Sequence, residues 1–255
     1  MPDQDLIRLS QSHLNLLSLC PPKFQQVYID CLSSLPVPEQ QDSMQWGSRF
    51  HLLMQQRELT LPIESLLASD TELERSLTAL IQAAPELAAT KPKIWREAEH
   101  CRTLRVSNFL FTVIYDLLIA KTDKAVILDW KTYRKPLGIK QLQQNWQTRL
   151  YLYVLVETSA YEPEQAQMIY WFVKSGKPKS VTISYSQQEH QRTEQDLSAL
   201  LANLATWLRN YREFKLDFPH QPDCEKNCFF YSDFAKINAP LAILNSIDEI
   251  EEVSI

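Results

Sequence analysis

The sequence predicts an α/β fold in which a mostly helical N-terminal region precedes a β-rich core. Apolar residues recur at helical spacing through most of the chain before Pro92. After Pro92, several segments are rich in β-branched and aromatic residues and are apolar on both faces, which is typical of central strands. One domain with helical additions can absorb 255 residues. We therefore expect a single domain over 1–245, divided at about residue 92 into the helical portion and a core over about 93–234, and an acidic tail over 246–255.

The N-terminal region carries signals for several helices. Ser10 can cap the first helix, which must end near Cys20 because two prolines follow it. Ser69 and Glu72 form a capping-box pattern and predict the start of another helix. In chain order, helices are expected over 10–20, over 23 to about 32, from 43 through 53, and from 69 onward.

The core is expected to contain five strands and two long helical segments. A hairpin should turn at Lys121-Thr122-Asp123-Lys124, between two apolar segments. The predicted strands cover residues 94–99, 109–120, 125–132, 168–174 and 180–185. The predicted helical segments cover residues 139–158 and about 187–214.

Composition and charge exclude several functional classes. The chain has 26 basic and 31 acidic residues, a net charge of -5 that opposes general attraction to nucleic acid, so any such site must be local. Only three glycines occur, which excludes a glycine-rich nucleotide-binding loop. No apolar run approaches the roughly 20 residues that span a bilayer. The N-terminus is acidic where a secretory signal is basic, so we expect a cytoplasmic protein without a membrane partner.

The predicted hairpin brings chemically interesting residues together. If its turn is centred between Thr122 and Asp123, Asp116 falls opposite Asp129. Directly paired strand residues have Cβ atoms about 5 Å apart, so two ionised carboxylates there repel unless a cation lies between them. Asp129 and Lys131 share a face because strand side chains alternate.

Two carboxylates and a lysine at one place suit a Mg²⁺ site. Mg²⁺ takes oxygen ligands, commonly one or two carboxylates together with water and substrate phosphate. Such an ion would activate water, and Lys131 would stabilise a developing oxyanion. The pattern therefore predicts phosphodiester hydrolysis.

These residues resemble the PD-(D/E)XK nuclease superfamily, specifically its RecB-like branch, which includes AddB and CRISPR-associated exonuclease relatives. Asp116, the segment Ile127-Leu128-Asp129-Trp130-Lys131-Thr132, and Gln147 with Tyr151 are similar to its core motifs. Two earlier segments resemble its N-terminal helix signature, and Gly47-Ser48-Arg49-Phe50-His51 resembles its glycine and histidine motif. The two segments are Leu9-Ser10-Gln11-Ser12 and Leu19-Cys20-Pro21-Pro22-Lys23-Phe24. The resemblance covers roughly Leu9 to Phe234.

The resemblance implies a restriction-endonuclease-like core, a central mixed sheet flanked by helices. It implies that Asp116, Asp129 and His51 bind Mg²⁺ or Mn²⁺ and that Lys131 is catalytic. Gln147 and Tyr151 would lie near the substrate strand. The implied function is metal-dependent DNA hydrolysis in repair or recombination, with DNA as substrate and a helicase or repair protein as partner. Val113 departs from the family, which usually has glycine three residues before the first aspartate.

Each of these interpretations has a structural alternative. Asp129 and Lys131 could form a salt bridge at a strand end, and His51 could be a partly buried imidazole. Gln147 and Tyr151, one turn apart, could simply pack together. Glu97 and Glu99 could reach the site, but exposed strand carboxylates are the commoner case. The whole chain could also be a catalytically silent DNA- or protein-binding module of the same fold, or a purely structural interaction protein.

The cysteines resemble part of an iron-sulfur motif. Cys20, Cys224 and Cys228 match three members of a family cluster, but no cysteine follows Cys228 to complete it. His220 or Asp233 could replace the missing thiolate, or Cys20, Cys224, Cys228 and His220 could bind zinc. We expect buried reduced thiols and no iron-sulfur cluster.

Overall fold

The computed structural model describes residues 6–32, 38–68, 70–88, 94–133, 137–174, 177–222, 224, 230 and 231, although not the side chains of 38–43 and 88. The predicted acidic tail, Ser69, Cys228 and Asp233 lie outside these residues. None of the helices within them is both long and apolar enough to cross a membrane.

The described strands form a mixed sheet, as the resemblance implies, with six strands where the sequence predicted five. They are β1 (Ile7–Leu9), β2 (Trp95–Val106), β3 (Phe109–Ala120), β4 (Ala125–Lys131), β5 (Ala166–Phe172) and β6 (Lys179–Ser184). β2 pairs with one edge of β3 in the antiparallel direction. The other edge of β3 pairs with parallel β1 at one end and with antiparallel β4 at the opposite end. β4 continues to parallel β5, which pairs with antiparallel β6.

The helices lie in the expected order and flank the sheet. They are α1 (Gln11–Leu19), α2 (Pro21–Phe24), α3 (Pro38–Glu58), α4 (Glu64–Leu67), α5 (Thr71–Ala83), α6 (Pro85–Ala88), α7 (Ile139–Gln144), α8 (Trp146–Glu157) and α9 (Gln187–Phe214). A π-helical segment, Gln25–Ile29, extends α2, and a short 3-10 helix, Pro163–Gln165, precedes β5.

Two apolar cores hold these helices against opposite faces of the sheet. The first core joins α1, α8 and α9 to the sheet through buried residues such as Leu14, Leu150 and Leu204. The second core joins α3 and α5 to the other face, with Phe50 and Leu73 fully buried. The sheet is therefore the middle of three layers.

The side-chain alternation of β3 breaks at Asp116. Odd-numbered residues up to Tyr115 face the first core, whereas Leu117 faces the second. Regular alternation would place Tyr115 and Leu117 on one face. The neighbouring strand β2 changes face in the same way, since Ala98 packs on the second core and Leu104 on the first.

The break in β2 has a visible backbone cause. Glu99, between Ala98 and His100, has φ of 52°, in the left-handed region that non-glycine residues rarely adopt. The pairing register is the same on both sides of it, Ala98 with Leu117 and His100 with Tyr115. Glu99 therefore lies across from Asp116, where both strands change face.

Four sequence-based expectations about elements need correction. The segment 94–99 belongs to β2, which pairs only with β3 among the described strands and is an edge strand rather than a central one. Its alternating exposure fits that position. The expected helix over 139–158 is two helices, because the extended backbone of Asn145 ends α7 and its side chain caps α8.

The remaining two corrections concern helix starts. α3 begins at Pro38 rather than Ser43, and proline is favoured at the first position of a helix. α5 is capped by Asp70 rather than Ser69. The Asp70 carboxylate accepts hydrogen bonds from the backbone N–H groups of Glu72 and Leu73 at 3.1 and 3.0 Å.

The Asp70 cap gives a stability prediction. Asp70→Ala should lower the free energy of unfolding by about 1–2 kcal/mol, because it removes an N-cap and also the ion pair with Arg49 at 2.9 Å. Urea unfolding followed by circular dichroism measures this loss. Ser69→Ala is the comparison, and a larger loss for that variant would restore Ser69 as the cap.

Candidate active site

The β3–β4 hairpin has the register that the sequence predicts. Leu117 pairs with Leu128 and Ala120 with Ala125, and the Lys121 N–H donates to the Lys124 carbonyl at 2.8 Å across the turn. The regular pairs between β3 and β4 end at Leu117 and Leu128. Continuing the register by one residue brings Asp116 level with Asp129.

The Asp116 side chain forms a hydrogen bond with the backbone of β4 just beyond the last pair of strand residues. Its Oδ2 accepts a hydrogen bond from the Trp130 N–H at 2.6 Å, and its Oδ1 lies 3.3 Å from His51 Nδ1. His51 Nε2 in turn lies 3.1 Å from the Trp130 carbonyl oxygen. Asp116 and His51 therefore both contact the Trp130 backbone. α3 supplies His51 from the second face of the sheet.

Glu99 completes a group of three potential metal ligands. Ligand atoms of His51, Glu99 and Asp116 all lie within 4.8 Å of one another. Burial raises the pKa of Glu99 to about 7, and the negative charge of Asp116 adds to this rise while His51 opposes it. The sequence favoured an exposed carboxylate here, but Glu99 is partly buried and belongs to the site.

A sequence signal for Glu99 was available. Ser107 and Asn108 form a two-residue turn between β2 and β3. A hairpin turning there sets a register in which Glu99 lies across from Asp116. This register, read together with that of the following hairpin, would have brought Glu99 to Asp116.

Asp129 and Lys131 form a second group with Gln147. Lys131 Nζ lies 3.1 Å from Asp129 Oδ1 and donates to Gln147 Oε1 at 2.7 Å. Gln147 Nε2 donates to Asp129 Oδ2 at 2.7 Å, which closes a ring of three contacts. The expectation that Asp129 and Lys131 share a strand face is confirmed. All three residues are buried, with relative exposures of 3%, 7% and 6%.

Tyr151 lies behind this second group, inside the first core. It is 4% exposed, and Gln147 lies one helical turn before it on α8. Burial, followed by the charges of Asp129 and Asp116, raises the pKa of Tyr151 far above its usual value. The hydroxyl is therefore neutral at ordinary pH. Val113 is also buried in the first core, so its side chain contributes to packing.

The donor set of His51, Glu99 and Asp116 fits a divalent cation. It offers one imidazole nitrogen and two carboxylates, and the two carboxylates repel each other unless a positive charge is near. Within the described part of the chain this is the one such group of three. The sequence grouped Asp129 with His51 and Asp116, whereas in the structure Asp129 pairs with Lys131. Its role as a metal ligand stays a prediction.

The predicted cysteine site is represented only in part. Cys20 is buried at the end of α1, and the buried Cys224 has its Sγ 3.4 Å from His220 Nδ1. Cys228 falls outside the described residues. Cys31 and Cys101, the other two cysteines, are exposed.

The expectation of reduced thiols can be tested directly. Protein purified without oxygen should be colourless, because four thiolates are the usual complement of a [4Fe-4S] cluster and the sequence offers three at suitable places. Absorption spectra and iron analysis measure this. A brown preparation with absorbance near about 400 nm and roughly four irons per chain would contradict the expectation.

Glu99 gives a prediction about the metal-free protein. In EDTA at pH 8, Glu99→Gln should raise the midpoint of thermal unfolding by roughly 2–4 °C, the shift expected of about 1 kcal/mol at this chain length. The folded-state pKa of about 7 exceeds the ordinary pKa of 4.5, so ionised Glu99 destabilises the fold increasingly as pH rises through that window. The gain should therefore vanish near pH 4.

The same variant should weaken Mn²⁺ binding at least about 10-fold by calorimetry. Glu97→Gln is the matched control, since Glu97 lies two residues away on β2 and pairs instead with His100 at 2.9 Å. Equal Mn²⁺ affinity for wild type and Glu99→Gln would remove Glu99 from the ligand set.

A solved structure shares the fold of this chain. A crystal structure from Eubacterium rectale, named "putative exonuclease", superimposes with a TM-score of 0.56 at 10% identity, over 95% of this chain and 93% of that one. A crystal structure of SSO0001 matches with a TM-score of 0.34 at 14% identity over 78% of each chain, which is too low to support an argument. No curated protein sequence matches significantly.

A family model gives the stronger result. The model of the PD-(D/E)XK nuclease superfamily matches residues 8–231, a segment that includes both groups of site residues. The assignment does not extend to the RecB-like branch, which stays a prediction. On the basis of this match, the chain belongs to the PD-(D/E)XK nuclease superfamily.

Proposed function

We propose that this protein is a metal-dependent nuclease that hydrolyses phosphodiester bonds in DNA. The observation that carries the proposal is that two groups of different electrostatic character, one acidic and one charge-balanced, lie on either side of Trp130. His51, Glu99 and Asp116 form a group of potential metal ligands, two of which contact the Trp130 backbone. Asp129 and Lys131, which pair with each other, flank Trp130 in sequence. Membership of a nuclease superfamily supports the same conclusion.

The residues divide the chemistry between them. A Mg²⁺ or Mn²⁺ ion held by His51, Glu99 and Asp116, with Asp129 as the further predicted ligand, would supply Lewis acidity and lower the pKa of water. Lys131 is fixed by Asp129 and Gln147 and can stabilise negative charge on a phosphate oxygen. Burial of Lys131 strengthens this interaction because nearby water screens it less.

The broader parts of the proposal rest on the RecB-like resemblance. They are a role in DNA repair or recombination, a helicase or repair protein as partner, and a cytoplasmic location. The net charge of -5 is consistent with a substrate that is attracted locally, by the cation and Lys131, and not by a basic surface.

The test is cleavage of labelled single- and double-stranded DNA in Mg²⁺, Mn²⁺ or EDTA. Wild type should cleave only with a divalent ion. Asp116→Asn, Asp129→Ala and Lys131→Ala should each lower kcat by about 10²–10³, the usual loss when one group that stabilises transition-state charge is removed. Lys124→Ala is the matched control, because Lys124 lies in the turn that precedes β4, whereas Lys131 lies at the far end of that strand.

Three other outcomes would be decisive. Equal cleavage by wild type and the three site variants would end the assignment of these residues. DNA binding without cleavage under any condition would support the catalytically silent binding module. A loss of folding stability in Lys131→Ala as large as that of a core mutation, without an effect on cleavage, would support the structural salt bridge.

A further inference from the structure

We propose that Gln147 is a positioning residue that holds Asp129 and Lys131 in a single arrangement, and that Tyr151 in turn holds the Gln147 amide. Neither side chain then contacts the substrate. This inference rests on the proposed nuclease function, since positioning matters only if Asp129 and Lys131 act on a phosphate. It replaces the expectation that Gln147 and Tyr151 bind the substrate strand.

The contacts of Gln147 occupy both ends of its amide. Oε1 accepts from Lys131 Nζ at 2.7 Å, and Nε2 donates to Asp129 Oδ2 at 2.7 Å. The third side of the ring, between Lys131 Nζ and Asp129 Oδ1, measures 3.1 Å and is the longest. The two charged groups are therefore held more closely by the amide than by each other.

A carboxamide satisfies both charged neighbours because it offers one acceptor and one donor group. An ammonium group can only donate hydrogen bonds and a carboxylate can only accept them, so Gln147 must turn its oxygen to Lys131 and its nitrogen to Asp129. A glutamate would place a second carboxylate beside Asp129. An apolar side chain of similar length would leave both buried groups with a lost partner, which is costly at low exposure.

The backbone of Gln147 is fixed as firmly as its side chain. Its N–H donates to the capping oxygen Asn145 Oδ1 at 2.7 Å, and Asn15 of α1 donates to the same oxygen at 3.1 Å. Asn15 Oδ1 accepts from the Trp146 N–H at 3.1 Å. The first turn of α8 is thereby tied to α1, and its first two N–H groups are already satisfied.

Burial argues against direct substrate contact. Gln147 and Tyr151 are 6% and 4% exposed. Burial raises the pKa of Tyr151, and the Gln147 side chain one helical turn away opposes this rise, so the two side chains lie close together. Tyr151 also packs edge-on against the Tyr115 ring at 5.3 Å, and the Tyr115 hydroxyl donates to the Tyr151 carbonyl at 3.0 Å. Tyr151 is therefore held within the first core by both its ring and its backbone.

The kinetic test compares Gln147→Glu, Gln147→Met and Tyr151→Phe on one labelled DNA oligonucleotide with Mg²⁺. Both Gln147 variants should lose about 10²-fold in kcat, a loss typical of misplaced catalytic groups, while KM changes less than about 3-fold. Tyr151→Phe should show a smaller kcat loss in the same direction. Gln143→Glu and Gln143→Met are matched controls, because Gln143 is exposed on α7. A raised KM with kcat preserved would overturn the proposal in favour of substrate binding.

A second measurement separates this inference from the nuclease proposal. In metal-free protein, NMR should show slowly exchanging side-chain amide protons for Gln147, and Asp129→Asn and Lys131→Met should each shift them. This result would support the ring even if wild type cleaves no nucleic acid, which would count against the nuclease function alone. Rapid exchange, or amide signals that neither variant moves, would overturn the positioning role. Thermal unfolding of each variant identifies any that fail to fold, and Tyr151→Phe keeps the kinetic test open in that case.

Discussion

The left-handed backbone of Glu99 is the constraint on which the site depends. A non-glycine residue in this conformation costs on the order of 1–3 kcal/mol, and the surrounding structure must supply that energy. Here the β2–β3 ladder continues with unchanged register on both sides of Glu99, so the strained residue is held between two regular stretches. At this change of face the Glu99 carboxylate lies close to both Asp116 and His51 of α3.

The two carboxylates of the β3–β4 hairpin have different electrostatic environments as a result. Asp116 faces another carboxylate, Glu99, with His51 as its neighbour. Asp129 instead faces the ammonium group of Lys131 and the amide of Gln147. One group therefore gains from an added cation, and the other is already charge-balanced. The sequence placed the repulsion between Asp116 and Asp129, but the structure shows it most clearly between Asp116 and Glu99.

Much of the core was predictable because its signals are local. β3 and α9 have the expected bounds, and the β3–β4 register followed from the centre of a short turn between two apolar strands. The sequence favoured an exposed carboxylate at Glu99 because alternation assumes a regular strand. A left-handed residue other than glycine leaves no mark of its own, so only the register of the β2–β3 hairpin places Glu99 opposite Asp116. Asn145 was missed because the apolar period on either side of it is the same. Asp70 and Ser69 are adjacent cap candidates, and only the hydrogen bonds separate them.

The purely structural interpretation explains half of the site. A buried ion pair between Asp129 and Lys131, satisfied by Gln147, could serve stability or fold specificity alone. It does not explain why Glu99 adopts a strained backbone in order to approach Asp116, since both the strain and the like-charge pair oppose folding. Backbone strain and charge repulsion of this kind are expected at sites where a bound ligand compensates for their energetic cost. A divalent cation is the ligand that two carboxylates and an imidazole favour, and two of these residues contact the backbone of Trp130, the residue before Lys131.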